Sequence, residues 1–556
     1  MSKKITILFL LLSLIFFTVS ANPLSKLYQE DDPILQDIYD LSVAAGILPT
    51  SSSVPISGYD LFKQTEIISQ HLNNDYLDSI NKELTSPFAK YPFSISVTAT
   101  PEFYANIDKD ANEWDWMIRY NQRNPFLYFE AEALLTESIY SVFSYDVKRI
   151  LFDEEFTGFN TNYPYQGNTH SSQLEEHIPH TAFLGISRPN YTFALGRDVL
   201  QLGSGNTGNL TLGNHVPYHD FLHFSTNNKY LKYTFLAIPM NEIGEDGQAK
   251  YPDYKGDMYR QWLHNSNSRT FLIHRLEMNI GSKVRFAMTE GTLFYASRFD
   301  LRMLNPMMFM HNFLNLGEVN NSMSFEIQAS VAPKWLVQGQ FFLDQFLNVG
   351  EALNNDTVPP NAYAALLALN YVDYLPKGKL KGFIEGVYVS PHAYLRFGDE
   401  TSNFYTDDEA NQVPPPYQWN LDLVHAVSMR GGKGGTAVLG YKDGPDAIVG
   451  ALGASYESFA GYGCALELKY IVQGTKGLII EEKSQALDLG IENLKATTPY
   501  GTPTHRFIVS PSGYYTIPKV GIKIFGRLDW INKWYKEKYS NDLQVNIGFN
   551  YSLKII

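Results

Sequence analysis

One cysteine, Cys464, occurs in 556 residues, so no disulfide can close within the chain and its stability must come from another framework. No apolar run reaches the roughly 18 residues that a helix needs to cross a bilayer; the stretch from Ile5 to Phe17 falls short of it. Positive charge is scarce. Lys and Arg number 44 against 58 Asp and Glu, a net charge of −14, and the pI near 5.4 argues against nucleic acid as a partner. The mean hydropathy of −0.21 excludes a helical membrane protein but leaves room for a membrane barrel, whose inward positions are polar. A repeat of fixed period is lacking as well, and no Ser–His–Asp or Cys–His arrangement stands out. Carboxylate pairs are too common in an acidic chain to be diagnostic. The sequence therefore points to no enzyme, no cofactor and no metal.

What is abundant is aromatic. The chain holds 37 Tyr and 35 Phe, a composition suited to strands with interfacial aromatic girdles, although an aromatic carbohydrate-binding sandwich would share it. At the C-terminus, Leu543, Val545, Ile547, Phe549, Tyr551, Leu553 and Ile555 alternate with Gln544, Asn546, Gly548, Asn550, Ser552 and Lys554. A period of two puts each set on its own face of a strand. The alternation is about twice the usual soluble strand of 5–6 residues and matches the roughly 9–11 tilted residues that cross a hydrocarbon layer. The expected fold is all-β and transmembrane: a large antiparallel outer-membrane β-barrel, with a large soluble β protein as the competing reading.

At the other end, Lys3 and Lys4 precede the apolar stretch, and Val19-Ser20-Ala21 fits a cleavage site, so residues 1–21 read as an export signal. Residues 22–90 carry helical periodicity. Asp32 caps and Pro33 opens a helix with Ile34, Ile38, Leu41 and Ala45 on one face, and Gly46 ends it. A Ser/Thr-rich linker, Thr50 to Ser53, leads to a second stripe (Leu61, Thr65, Ile68, Leu72) and a third (Leu77, Ile80, Leu84). About 65 residues are marginal alone, so these helices are expected to pack on the periplasmic end of the barrel. Residues 91–556 are the barrel. From Phe93 the period is two, as in Leu127–Ala133, Leu231–Ala237, Tyr462–Tyr470 and Val520–Trp530, with polar insertions around Asp153–Pro179, Asn241–Asn267, Asn348–Asn361 and Gly398–Pro416. About 16–18 strands with long outer loops would fill this length. Cys464 falls on the apolar face, as a small hydrophobe.

Four stretches invite chemistry. Gly203-x-Gly205-x-x-Gly208 has dinucleotide spacing, but Pro217 and the intervening sequence do not make the helix that pyrophosphate binding needs, so it reads as a turn. Arg430 to Thr436 lacks phosphate-loop spacing. His215, His219 and His223 would form a metal face on a helix, which Pro217 breaks. In His274-Arg275-Leu276-Glu277, strand geometry puts Arg275 and Glu277 together as a lumen-facing ion pair, with His274 on the other side.

Taken together, several segments resemble the capsule-assembly Wzi family. Phe193 to Leu200, with Gly196-Arg197-Asp198, runs into Gly203-x-Gly205-x-x-Gly208-Asn209-Leu210, similar to its "GRD…WGxGxxGNL" segment. His274 to Glu277, Leu304-Asn305-Pro306, Gln338 to Phe346 with Asp344, Glu385-x-x-Tyr388-x-x-Pro391 and Gly444 to Ala447 follow in the family's order, and Ala45 to Pro49 resembles its opening. The resemblance implies about 18 strands with a small periplasmic helical bundle. It also implies a non-catalytic, lectin-like role in retaining capsular polysaccharide at the cell surface. Its motif residues Arg197, Asp198, Asn209, His274, Arg275, Glu277, Asp344 and Tyr388 become ligand-binding candidates. The expected partners are a surface polysaccharide, outer-membrane lipid and the barrel-assembly machinery. Two departures stand out: Leu202 replaces the family's Trp, which could stack on a sugar, and the chain ends in Ile555-Ile556 rather than an aromatic residue. The alternative function is a porin-like diffusion channel.

Overall fold

Asp32 opens the first helix, α1 (Pro33–Ala44), by accepting from the Ile34 amide at 3.0 Å. Pro33 takes the position where an amide would be unsatisfied anyway, and Gly46, at φ +70°, ends the turn. The second helix, α2 (Gly58–Ser69), is capped by Ser57, and the third, α3 (Asp75–Thr85), follows. The apolar stripes read from the sequence meet in one core: Ile38, Leu41, Leu61, Ile68, Ile80 and Leu84 are all buried there. These coordinates are a computed structural model. It describes residues 22–555 except 73–74, 87, 89–90, 113–114, 150, 152–155, 164–173, 176–179, 244–267, 297–303, 306–317, 346–360, 396–420, 428–434 and 476–496. The export signal at 1–21 and most of the four polar insertions lie outside the described residues.

The wall begins with β1 (Phe93–Ala99), β2 (Leu127–Leu134), β3 (Ile139–Arg149), β4 (Ala182–Arg188), β5 (Tyr191–Asp198) and β6 (His219–Asn227). It continues with β7 (Leu231–Met240), β8 (Ser268–Ile280), β9 (Val284–Ala296), β10 (Glu318–Ala332), β11 (Trp335–Gln345) and β12 (Ala362–Leu375). The last third is β13 (Gly378–Val389), β14 (Ala447–Ser458), β15 (Tyr462–Gln473), β16 (Thr504–Ile517), β17 (Ile522–Tyr535) and β18 (Lys538–Lys554). These eighteen strands pair antiparallel with their sequence neighbours and close into a barrel. The seam is β18 against β1, with Tyr551 opposite Ala99, and then against the continuation Glu102–Ala105, with Val545 opposite Ala105. Closure leaves no free edge, which answers the need for a framework without disulfides.

The pleat sorts the side chains. On β18, Ile547, Phe549, Tyr551 and Leu553 are exposed on the outer face, while Asp542, Gln544 and Asn546 are buried in the lumen. Leu195, Leu367, Ile384, Leu452 and Ile524 extend the exposed apolar surface around the wall. Monomeric soluble proteins rarely display so large an apolar surface, and it fits a wall that spans a bilayer. Cys464 is exposed on this outer face as expected. Ile547→Arg should destabilise the barrel by roughly 2–4 kcal/mol if it lies near the bilayer midplane, whereas Asn550→Arg, on the wet face, should change little. Equal losses of heat-modifiable protein for both would show the faces to be misassigned.

Short turns gather at one end of the barrel, as at Ile280–Val284, Ala332–Trp335 and Leu375–Gly378, while long connections such as Met240–Ser268 and Val389–Ala447 gather at the other. The helices sit on the short-turn end. The Lys334 amide donates to the Val43 carbonyl at 2.9 Å, the Leu48 amide to Ser282 at 2.9 Å, and Asn227 to Asp60 at 2.6 Å. Asp40, almost fully buried in α1, pairs with Lys379 at 2.7 Å and Lys381 at 3.0 Å on β13. The helices and wall are thus joined by apolar contact and by buried charge.

Candidate functional site

The lumen is where the barrel departs most from a simple tube, because segments of the chain itself fill its middle. The connection from β5 to β6, residues 199–218, folds inward rather than away. Leu200, Leu202, Leu210 and Leu212 pack against inward-facing Phe221, Phe271 and Phe342 in a single apolar core. Its glycines permit close approach: a Cβ on Gly205 would lie 2.0 Å from the Gly208 carbonyl, and Gly203 and Gly208 have φ +117° and +152°. The glycine run is therefore a tight internal turn, as its sequence suggested, and it binds a carboxylate of the wall. Glu385 on β13 accepts from the Asn206 amide at 2.6 Å and the Thr207 amide at 2.9 Å, and from the Thr207 hydroxyl. Gln340 on β11 accepts from the Leu210 amide at 3.0 Å and donates to Asn209 at 2.8 Å. Ser204 donates to Gln338 at 2.6 Å.

A second inserted piece carries the plug toward the long-connection end. A hairpin, Val424–Val427 with Gly435–Val438, lies apart from the wall sheet. The Gly213 amide donates to the Leu439 carbonyl at 2.7 Å and the Leu439 amide to Leu423 at 2.9 Å. Buried Arg269 on β8 donates to the carbonyls of Asp422 and Val424 at 2.9 and 3.0 Å. Tyr394 joins the pieces, donating to the Leu210 carbonyl at 2.9 Å and accepting from the Tyr441 amide at 3.1 Å.

The third piece is the stretch read as a linker. Thr50 to Ser53 is no surface linker: Ser52 and Ser53 are buried and the strap enters the lumen between the helices. The Gly203 amide donates to the Ser52 carbonyl at 2.8 Å, stitching the strap to the plug. Arg285 donates to the carbonyls of Pro49 at 2.9 Å and Thr50 at 2.7 Å. Ser51 donates to Glu277 at 2.7 Å, and Arg275 to Ser52 at 2.6 Å. Arg275 also meets Glu277 at 3.0 Å and Glu326 at 2.8 Å. Charges this deep hold only because each is paired and bonded. Where the N-terminal segment meets the plug, burial pushes the Glu30 carboxyl up to about 7, opposed by the hydrogen bond from Asn214.

The eight motif residues do not form one site. Arg275 and Glu277 come together as the expected inward pair. Asp198 faces inward beneath the plug, accepting from Thr181 at 3.0 Å and the Val199 amide at 2.8 Å. Asn209 lies within the plug itself. Asp344 accepts from the Tyr394 amide at 2.7 Å. Arg197, His274 and Tyr388 point the other way. Arg197 pairs with Asp220 through both oxygens, at 2.8 and 2.7 Å, and its guanidinium lies 4.1 Å from the Tyr218 ring centre. His274 meets the Tyr233 hydroxyl at 2.6 Å, and Tyr388 stacks on Tyr363. The position of Leu202 is interior and bridged to Ser53 and Leu212, so a larger side chain there would meet the core. His219 and His223 face inward on β6 and are fully buried, and no metal-binding group of side chains occurs among the described residues. Glu385, Gln340 and Arg285, which hold the inserted segments, and Glu326, which pairs with Arg275, were not singled out as site residues; all four lay in an inward phase on strands, and Glu385 and Gln340 also fell within the quoted motif stretches.

An eighteen-strand barrel with an apolar exterior and a lumen occupied by its own chain defines a plugged barrel of the outer-membrane type. No family model matches the sequence, and no curated protein matches it. Among solved structures the fold is similar to Wzi, an outer-membrane protein involved in group 1 capsule assembly in Escherichia coli and described as a carbohydrate-binding β-barrel. The TM-score is 0.55 at 11% identity, over 94% of this chain and 98% of that one. The resemblance read from the motifs thus holds at the level of fold. OprD of Pseudomonas aeruginosa also aligns, over 84% of this chain and 94% of its own at 9% identity, but a TM-score of 0.40 is too low to build on.

Proposed function

We propose that this is a non-catalytic outer-membrane protein that binds a surface or capsular polysaccharide and helps attach it to the cell. The carrying observation is the occupied lumen: Glu385, Gln340 and the Arg275–Glu277 pair spend their hydrogen bonds on the chain's own segments rather than lining an open path. That weighs against free diffusion, and the fold it shares with a carbohydrate-binding barrel gives the positive half of the reading. In this arrangement residues 1–21 direct export, the barrel-assembly machinery inserts the wall, the helices face the periplasm and the long connections face outward. Of the motif residues, Arg197, with its aromatic neighbour Tyr218 near the long-connection end, is the one we assign to ligand contact; Asp198, Asn209, Arg275, Glu277 and Asp344 serve the plug.

Deleting the gene should leave polysaccharide synthesis intact and move the polymer from the cell to the medium. Purified protein should bind the polymer and remain non-conducting in planar bilayers. Unchanged cell-associated polymer with reduced small-solute uptake would favour a diffusion channel and remove the glycan reading.

A further inference from the structure

The inserted segments do not fill the lumen evenly. Along β14–β16 several inward positions are small: Gly453 and Ser455 on β14, Gly463 and Ala465 on β15, Ser512 on β16. Two cavities lie against this wall, of about 440 and 600 Å³, and they share Ser455, Ala465, Ser512 and Arg527. Each falls within the roughly 300–1,000 Å³ range of ligand pockets.

Exposure of the inward side chains shows which way this space opens. On β14, Glu457 is 43% exposed, yet Ala451, further up the same face, is 5% exposed. On β17, Lys523 is exposed, Arg527 is 30% exposed and Asp529 is buried. The floor above is sealed. Ile471, Ile508 and Ile531 join the apolar core, and Lys469 pairs with Asp443 at 2.6 Å. Gln544 accepts from the Met117 amide and Asp542 from the amides of Ile107 and Asp108, so the segment after β1 is tied across the same level. The space is a blind vestibule entered from the short-turn face.

Its lining selects a chemistry. Phe525 and Tyr514 line it with aromatic rings, that of Tyr514 shared with the Lys523 ammonium, and Ser512, Asn546 and Asn550 offer hydrogen bonds of both senses. The cations are engaged: Arg527 is held by both oxygens of Asp529 at 2.9 and 3.0 Å, Lys381 by Asp40 at 3.0 Å, and Lys523 lies 4.2 Å from the Tyr514 ring centre. Glu102, Glu457 and Glu467 add negative charge, so a polyanion would be repelled. A pyranose chain presents apolar CH faces and hydroxyl edges, which match rings flanked by amides and hydroxyls. We propose that this vestibule takes the end of a neutral oligosaccharide chain from the periplasmic side. The proposal rests on the glycan-binding reading but concerns a second, inward site, separate from the surface one.

The test uses the full-length protein carrying Cys464→Ser and Ser512→Cys, and follows the reaction of the new thiol with a charged, membrane-impermeant reagent. In intact cells the thiol should react only after the outer membrane is permeabilised. With purified protein, saturating maltohexaose should slow the reaction by about tenfold or more, as expected for a ligand that occludes the site, and polygalacturonate oligomers should not. Adding Ala465→Trp, which fills the junction of the two cavities, should abolish the sugar's effect while the barrel stays heat-modifiable. Reaction in intact cells, no slowing by maltohexaose, or equal slowing by the polyanion would each overturn the proposal. Surface retention of polymer is a separate readout: if retention depends on the protein while the thiol is unprotected, the vestibule alone fails. If the thiol is protected while retention is unchanged, the surface reading alone fails.

Discussion

Arg275→Ala is expected to destabilise the barrel's interior by about 3–5 kcal/mol, the usual result of removing one partner from a buried charge pair. The guanidinium is 2% exposed and contacts Glu277, Glu326, Ser52 and Thr289. Without it, two carboxylates remain in the lumen. Arg285, 3.6 Å from Glu277, offsets part of that burden, but Glu326 loses its ion-pair partner. The loss should be local first, because the same guanidinium holds the strap. Amide exchange at Val54 and Gly203, whose protons go to the Gln201 and Ser52 carbonyls, should accelerate more than exchange in the wall strands. Arg275→Lys keeps the charge but loses the planar fork, and should fall between. The double variant with Glu277→Ala should recover part of the loss, since fewer charges are stranded. Unchanged exchange at Val54 in Arg275→Ala would show that the pair does not hold the strap.

Glu385→Ala should be comparable in size and different in place. Its carboxylate accepts from two backbone amides of the glycine run, and bonds to a charged acceptor contribute about 1.5–3 kcal/mol each, so a loss of about 3–6 kcal/mol is expected. The Thr207 hydroxyl and the Tyr441 hydroxyl behind it, 2.7 Å away, lose their anchor too. Released, residues 203–209 would leave the inner wall of β11–β13 exposed to water. Planar-bilayer recordings, expected to be silent for the parent protein, should then show discrete conducting events. Glu385→Gln, able to accept through its carbonyl oxygen but also turning an amide NH2 donor toward the two backbone amides, should conduct less often. A silent Glu385→Ala barrel of normal stability would mean that the plug is held by its leucines alone.

Much of this was legible in the sequence because it rests on local periodicity. The alternation in Leu543–Ile555 settles which face meets lipid, since successive Cβ atoms on a strand must point opposite ways. Asp32-Pro33 and Gly46 bound the first helix by the chemistry of helix ends alone, and the pairing of Arg275 with Glu277 follows from a spacing of two. What the sequence could not decide were the contacts across long separations. Thr50–Ser53 reads as a linker because its residues are small, polar and loop-forming. Only the folded barrel brings it to Arg275 and Arg285, where those same hydroxyls and carbonyls become the partners of buried charge. The glycine run reads as a turn, yet the carboxylate it binds lies 179 positions away, in a motif stretch that does not say what Glu385 holds. The vestibule is still less visible, because it is the space left where small side chains from three strands face a lumen that the plug does not fill evenly. Period and propensity act over a few bonds and fix the strands. Filling the lumen depends on which distant segments the closed wall brings together, and that only the tertiary structure decides.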